Sequence, residues 1–332
     1  MNGGGVTKRI LFIVVLLLCL TGCRPEAAEA VPAFVLTYAE NQPESYPTTL
    51  GAQEFARLVE ERTGGEVVIL VKHSGELGSE AEVLSQMYFG GIDFARVSLS
   101  SVSDELPVLN VLQLPFLYED ADHMWRILDG AIGEDFLKVF SQRNLVGLSW
   151  YDAGARCFYS NVPVHCAEDL RGLTVRVQDS QMMKDMVQLL GADAVSLPYS
   201  DVYAAFETGQ IDAAENNWAA YRAQEHHRLA KFYSMDQHTR VPEIQLCSAR
   251  TWAQLPEEYR QTIVQCARES ALYERQLWDG YEQEARSFVI ARGCQEISLD
   301  EDALAEFRKL VQPLYGRYCA DYLDLIQQIQ TG

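Results

Sequence analysis

Apolar positions along the chain fall into runs that change period in a regular order. The run 33-AFVLTYA-39 is nearly continuous and predicts a buried strand. In 47-PTTLGAQEFARLVEERTGG-65, Leu50, Phe55, Leu58 and Val59 recur at helical spacing before a Gly-Gly stop. Such spacing predicts a helix ended by a C′ glycine. The run 66-EVVILVK-72 then reads as a second strand. A strand, a helix and a strand within about 40 residues make a βαβ unit, which predicts a parallel sheet with a right-handed crossover.

The same grammar returns further on. Strand 173-LTVRV-177 precedes a helix over 180-SQMMKDMVQLLGA-192, where Met182, Met183, Met186, Val187, Leu189 and Leu190 form an apolar face. Methionine stripes at helical spacing are core-forming. A strand near 194-AVSL-197, a helix from about Asp201 to Thr208 stopped by Gly209, and a strand at 211-IDAA-214 complete a second α/β unit, so two α/β domains are expected. From Pro256 to Ala291 the chain lacks an internal proline and carries one glycine, Gly280. A continuous helix there is about 54 Å long at about 1.5 Å per residue, so it lies across both domains or kinks at Gly280.

The amino terminus follows another logic. Lys8 and Arg9 precede the apolar run 10-ILFIVVLLLCL-20, too short to span a bilayer. A basic segment, a short apolar segment and small residues describe an export signal. The ending 20-LTGC-23 resembles a bacterial lipobox, which implies a signal peptide over 1–22, a lipid on Cys23 and a tether over 23–32. An ordinary secretion signal cut near Ala30 is the alternative. Six cysteines remain, at 157, 166, 247, 266, 294 and 319. Export permits disulfides among them, but their spacing selects no pairing and matches no zinc motif.

Charge narrows the function. The net charge is -20, which argues against nucleic-acid or anionic-membrane surfaces, both of which need clustered Lys and Arg. An anionic ligand would have to be held locally by individual arginines. The six histidines lack metal-ligand spacing, and His226-His227 reads as a solvated helix face. No G-x-S-x-G, P-loop or G-x-G-x-x-G is present, so neither an enzyme nor a cofactor is indicated.

The arginines inside apolar stretches carry the chemistry. Arg176 alternates with Val175 and Val177, sharing a strand face with Thr174, and Arg156 precedes the aromatic strand 157-CFYS-160. A guanidinium fork holds a carboxylate with two parallel hydrogen bonds, and equally serves a structural ion pair. Composition alone favours the ion pair. The amides of 215-ENNW-218 follow a predicted strand, and ligands gather at strand ends in open α/β sheets.

Six segments in order give these residues a context: 75-GELGSEAEVLSQMYFGGIDFARVS-98, 112-LQLPFLY-118, 149-SWYDAGARCFY-159, 170-LRGLTVRV-177, 198-PYSDVYAAFETGQIDAAENN-217 and 251-TWAQLPEE-258. Together they resemble the DctP-type solute-binding proteins of TRAP transporters. The resemblance implies an α/β, two-lobed periplasmic-binding-protein-like fold (type II-like) with a long helix spanning both lobes. Lobe I would take 33–153 and 242–281, and lobe II 154–241 and 282–332. It also implies that Arg176 forms the main salt bridge to a ligand carboxylate, with Arg156 and Asn216 assisting. The segments 93-DFARVS-98, 123-HMWRILDG-130 and 238-HTRVPE-243 are similar to the hexuronate-binding branch. A glucuronate- or galacturonate-like ligand needs further polar contacts, for which Glu40, Arg96 and Asn217 are candidates, with Tyr151 or Trp218 facing the ring. The implied partners are this acid, the TRAP membrane permease and, through Cys23, the membrane. A sensor module for a signalling receptor, or a binder of another monocarboxylate or a C4-dicarboxylate, is the alternative. Cys157 beside Arg156 departs from the family pattern.

Overall fold

The computed structural model describes residues 31–332; the expected signal segment and the expected lipid site at Cys23 lie outside them. The chain runs β1 (Phe34–Ala39), α1 (Pro47–Arg62), β2 (Val67–Lys72), α2 (Glu80–Phe89), β3 (Phe94–Ser98), β4 (Leu145–Tyr151), β5 (Cys157–Ser160), β6 (Thr174–Val177), α3 (Gln181–Leu189), β7 (Asp193–Ser196), β8 (Ala213–Asn216), α4 (Trp218–Ala223), β9 (Phe232–Ser234), β10 (Glu243–Ser248), α5 (Glu257–Ile290) and β11 (Gln295–Ile297), with shorter helices between them and at the end. Local chemistry sets the boundaries. Pro47 opens α1, Ser79 and Glu82 close a capping box on α2, and Gly90 ends α2 in the left-handed region.

Two sheets result, ordered β2-β1-β3-β10-β4 and β11-β9-β5-β8-β6-β7. The expected βαβ units supply their parallel pairs: β1 with β2 and β3, and β6 with β7 and β8. Both sheets are nonetheless mixed. β10 returns from far along the chain and inserts antiparallel between β3 and β4, and β5 pairs antiparallel with β8. A sequence window of 40 residues carries no signal for a strand arriving from 145 residues away.

Two segments cross between the sheets, from β4 to β5 and from β9 to β10. They are paired where Arg156 N donates to Thr239 O at 2.8 Å. The 34-residue helix α5 is continuous through Gly280 and packs on α1 and on α4, elements flanking different sheets. It grips the first crossing segment: Glu274 accepts from the backbone N–H of Asp152 at 2.9 Å. Asp152 in turn accepts from Trp125 and from Gly154 N. The tail also touches both sides. Tyr315 donates to Pro115 O and His123 bonds Ile329 O, while Tyr318 and Arg317 hold Asp185 of α3. The stretch 282–332 thus contributes contacts to the first lobe as well as the second.

Val175 and Val177 belong to the large core under one face of the second sheet, and Ala214, beside Arg176 in register, belongs to the core on the other face. All six described cysteines are free thiols, five of them buried. Burial pushes the Cys157 thiol well above its ordinary range, which disfavours its reactive thiolate.

Gly154 sits in the crossing segment at φ +61°, and a Cβ there would lie 2.6 Å from Glu282 Oε1 and 3.0 Å from Trp278 Nε1. Gly154→Ala is expected to destabilise the protein by about 1–3 kcal/mol, read as a lowered urea midpoint at unchanged m-value.

Candidate functional site

Three arginines are buried to 2–3% exposure, Arg96, Arg156 and Arg176, and their partners differ. Arg96, on β3, meets three carboxylates: Glu40 just beyond β1, Glu80 at the start of α2 (3.2 Å) and Glu243 at the start of β10 (2.7 Å). Its Nη2 also donates to Asn41. Burial works against the Arg96 charge, but Glu40 and Glu243 outweigh it and hold the guanidinium firmly ionised.

Arg156 precedes β5. Its Nε and Nη2 reach the two oxygens of Glu215 at 2.5 and 2.8 Å, and Nη1 donates to Asn216 Oδ1 at 3.2 Å. Glu215 faces the opposite side of β8 from Asn216 and is wholly buried. His238 continues the chain, with Nε2 3.5 Å from Glu215 and Nδ1 2.5 Å from Asp236. Burial alone would raise the Glu215 pKa, yet Arg156 and His238 bring it to about 2. Burial alone would lower that of His238, yet Asp236 and Glu215 bring it to about 9. Arginine, glutamate, histidinium and aspartate thus alternate in sign through the interior.

Arg176 differs from both. Its Nε and Nη2 donate to one carbonyl, Leu197 O, at 3.0 and 2.7 Å. No carboxylate among the described residues lies within ion-pair distance of it. Burial, without a compensating anion, depresses its pKa. Register places Tyr159, Ala214 and Arg176 in one row across β5, β8 and β6. The residue beside Arg176 in that row is the small Ala214. Tyr159 OH bonds His226 Nδ1 at 2.8 Å, and burial beside the Arg176 charge drops the His226 pKa to about 3, so its ring is neutral.

The two sides meet at Tyr199, whose hydroxyl donates to Gln42 at 3.4 Å and which lies within the fields of Arg176, Arg96 and Arg156. Tyr46 reaches across likewise, donating to Asn217 Oδ1 at 3.4 Å.

Several expectations change in detail. β8 extends through Asn216, so Glu215 and Asn216 belong to the strand instead of following it. Asn216 Nδ2 has no partner among the described residues, while its Oδ1 accepts from Arg156 and Asn217 N. The Asn217 amide is engaged by protein: Oδ1 caps α4 at Ala220 N, and Nδ2 donates to Ala153 O. Glu40 and Arg96 satisfy each other. Trp218 stacks on Tyr233 at 3.5 Å, and Tyr151 is fully enclosed with its hydroxyl on Ser270. His226 and His227 are buried rather than solvated, because the chain turns at Glu225 and drops them among Tyr159, Tyr221 and Phe288. Gln42, Tyr199, Glu215, Glu243, Asp236 and His238 were not singled out beforehand. The Glu-Asn pair was the available signal for Glu215, since a strand residue beside Asn216 must face the other way.

Two mixed sheets, two paired crossings and a bracing helix define the class of two-lobed solute-binding proteins. Residues 38–321 match the family described as bacterial extracellular solute-binding protein, family 7, of the DctP type, and the chain belongs to that family. A solute-binding protein of Chromohalobacter salexigens is 34% identical over 284 residues, 85% of this chain and 84% of that one. A TRAP periplasmic solute-binding protein of Xanthobacter autotrophicus Py2, solved with β-D-galacturonate, superposes with a TM-score of 0.87 at 36% identity, covering 90% of this chain and 99% of the other. One from Pseudomonas putida F1, solved with D-glucuronate, gives 0.87 at 33%, covering 90% and 97%.

The raised His238 pKa has a defined consequence. The folded state keeps a proton that the unfolded state releases above about 6.5, so this contribution is complete below that pH and is lost as pH rises toward about 9. His238→Asn should remove on the order of 3 kcal/mol of stability at low pH and flatten the profile between about pH 6.5 and 9. Denaturation midpoints across that range check it.

Proposed function

We propose that this protein captures a hexuronate such as galacturonate or glucuronate outside the cytoplasm, grips its carboxylate with Arg176, and delivers it to a TRAP membrane permease. The observation that carries the reading is the contrast among the buried arginines. Arg96 and Arg156 have their counter-charges built in, whereas Arg176 has a carbonyl only. A buried cation without an anion costs several kcal/mol, and a ligand carboxylate removes that cost. Each charge-assisted hydrogen bond adds about 1.5–3 kcal/mol, against about 8 kcal/mol for micromolar affinity.

Arg156 acts in this reading chiefly by holding Asn216, whose free Nδ2 points to a second ligand contact. Support for a hexuronate comes from family membership and from the uronates bound by the two similar solved proteins. Closure of the lobes strips water from the ion pair and strengthens it. The lipobox-like LTGC supports attachment to a membrane through Cys23.

Calorimetric titration with uronates should give saturable one-site binding, and absence of binding to any organic acid overturns the proposal. Arg176→Lys should weaken binding by about tenfold or more, because an ammonium cannot reproduce the fork; an unchanged affinity removes Arg176 from the site. For the anchor, the wild-type protein should enter the detergent phase on phase separation, and Cys23→Ser should leave it in the aqueous phase.

A further inference from the structure

The acids around Arg96 outnumber the cation. Glu40 and Glu80 spend their oxygens on Arg96, Gln42 N, Asn41, Ser98 N and Ser101. Glu243 spends only one: Oε2 accepts from Arg96 Nη1 at 2.7 Å. Its Oε1 has no hydrogen-bond partner among the described residues, although the residue is 7% exposed. That atom is also not among the sealed, unsatisfied ones, so it remains open to a small molecule.

The position of Glu243 bears on the cleft. It begins β10 directly after a crossing segment, paired with Ser98 on one side and Tyr151 on the other. Arg96, Glu40 and Glu80 of its own cluster, Tyr46 and Arg156, and Glu274 of α5 are the charged and titratable groups around it. Burial and the two neighbouring glutamates push its pKa up to about 7. Across the cleft, Tyr199 follows by two residues the Leu197 carbonyl that holds Arg176 and donates to Gln42 at 3.4 Å, and Gln42 N in turn donates to Glu40, so the acid-rich cluster and the unneutralised arginine lie on the two sides of one contact. One side of that contact lacks an anion and the other holds a surplus.

We propose that Glu243, through its free Oε1, is the specificity-determining residue that takes a hydroxyl at the uncharged end of the ligand and repels a second carboxylate there. The site then selects sugar monoacids over the corresponding sugar diacids and over C4-dicarboxylates. A hydroxyl can donate to this oxygen, whereas a second carboxylate meets the surplus of Glu40, Glu80 and Glu243 over the single Arg96 in a poorly solvated place. This inference rests on the carboxylate-binding function proposed above.

Titration calorimetry on wild type, Glu243→Gln and Glu243→Asp, with galacturonate, its C1-oxidised diacid galactarate, and succinate, tests it. Wild type should prefer galacturonate to galactarate by about a hundredfold. Glu243→Gln should weaken galacturonate about tenfold and narrow the preference at least tenfold. Glu243→Asp should keep the rejection of both diacids while losing galacturonate affinity, because the shorter arm withdraws the oxygen. An unaltered preference in a Glu243→Gln protein with wild-type Tm overturns the inference. If that variant does not fold, unchanged galacturonate affinity in Glu243→Asp overturns it instead. Wild type that binds no sugar acid overturns the proposed function and this inference with it. Wild-type binding with both variants unchanged overturns this inference alone.

Discussion

An arginine buried without a counter-ion is the constraint around which the rest of the second lobe is arranged. Nothing in a strand of four residues requires a guanidinium at position 176, and desolvating it works against folding. The protein tolerates it by giving Nε and Nη2 a shared carbonyl, Leu197 O, and by leaving Ala214 beside it in register. The neighbouring groups add no positive charge, since burial keeps His226 neutral. The folded state is thereby left with an unmet electrostatic demand at Arg176.

The charges around Arg156 are arranged to make no such demand. Arg156, Glu215, His238 and Asp236 alternate in sign from the cleft side of β8 to the second crossing segment. The sum is electrically neutral. This row ties β5 and β8 to the crossing at Thr239, where the backbones of the two crossings also pair. The helix α5 fixes the first crossing through Glu274 and crowds it at Gly154. Two short segments that pair with each other, with α5 as a third connection from β10 to β11, join the lobes. Short paired segments suit a hinge because motion is confined to few dihedrals.

Much of the local structure was readable before any tertiary information. The βαβ periodicity of residues 33–72 and the Met-striped helix after 173-LTVRV-177 appear within a residue or a few of their expected places. The long helix appears as one element from Glu257 to Ile290. Arg176 was legible as an anomaly because a cation interrupts an apolar alternation. The status of the other candidates was not legible. Arg96, Arg156 and Asn217 look no different from Arg176 or Asn216 in one dimension, yet three carboxylates, one carboxylate and a helix cap respectively occupy them. His226 and His227 sat in a polar stretch whose burial depends on elements brought in from elsewhere.

Sequence by itself determined which segments are strands and helices, because periodicity and capping act within one or two turns of the chain. It also determined which side chains share a strand face, since alternation has a fixed period of two. Pairing of charges was decided only in the tertiary structure. Glu215 reaches Arg156 across 59 residues, and Glu243 reaches Arg96 across 147. Coulomb energy depends on distance and burial in space, neither of which is encoded locally. Whether an arginine is a structural ion pair or an open anion site is therefore a property of the folded chain.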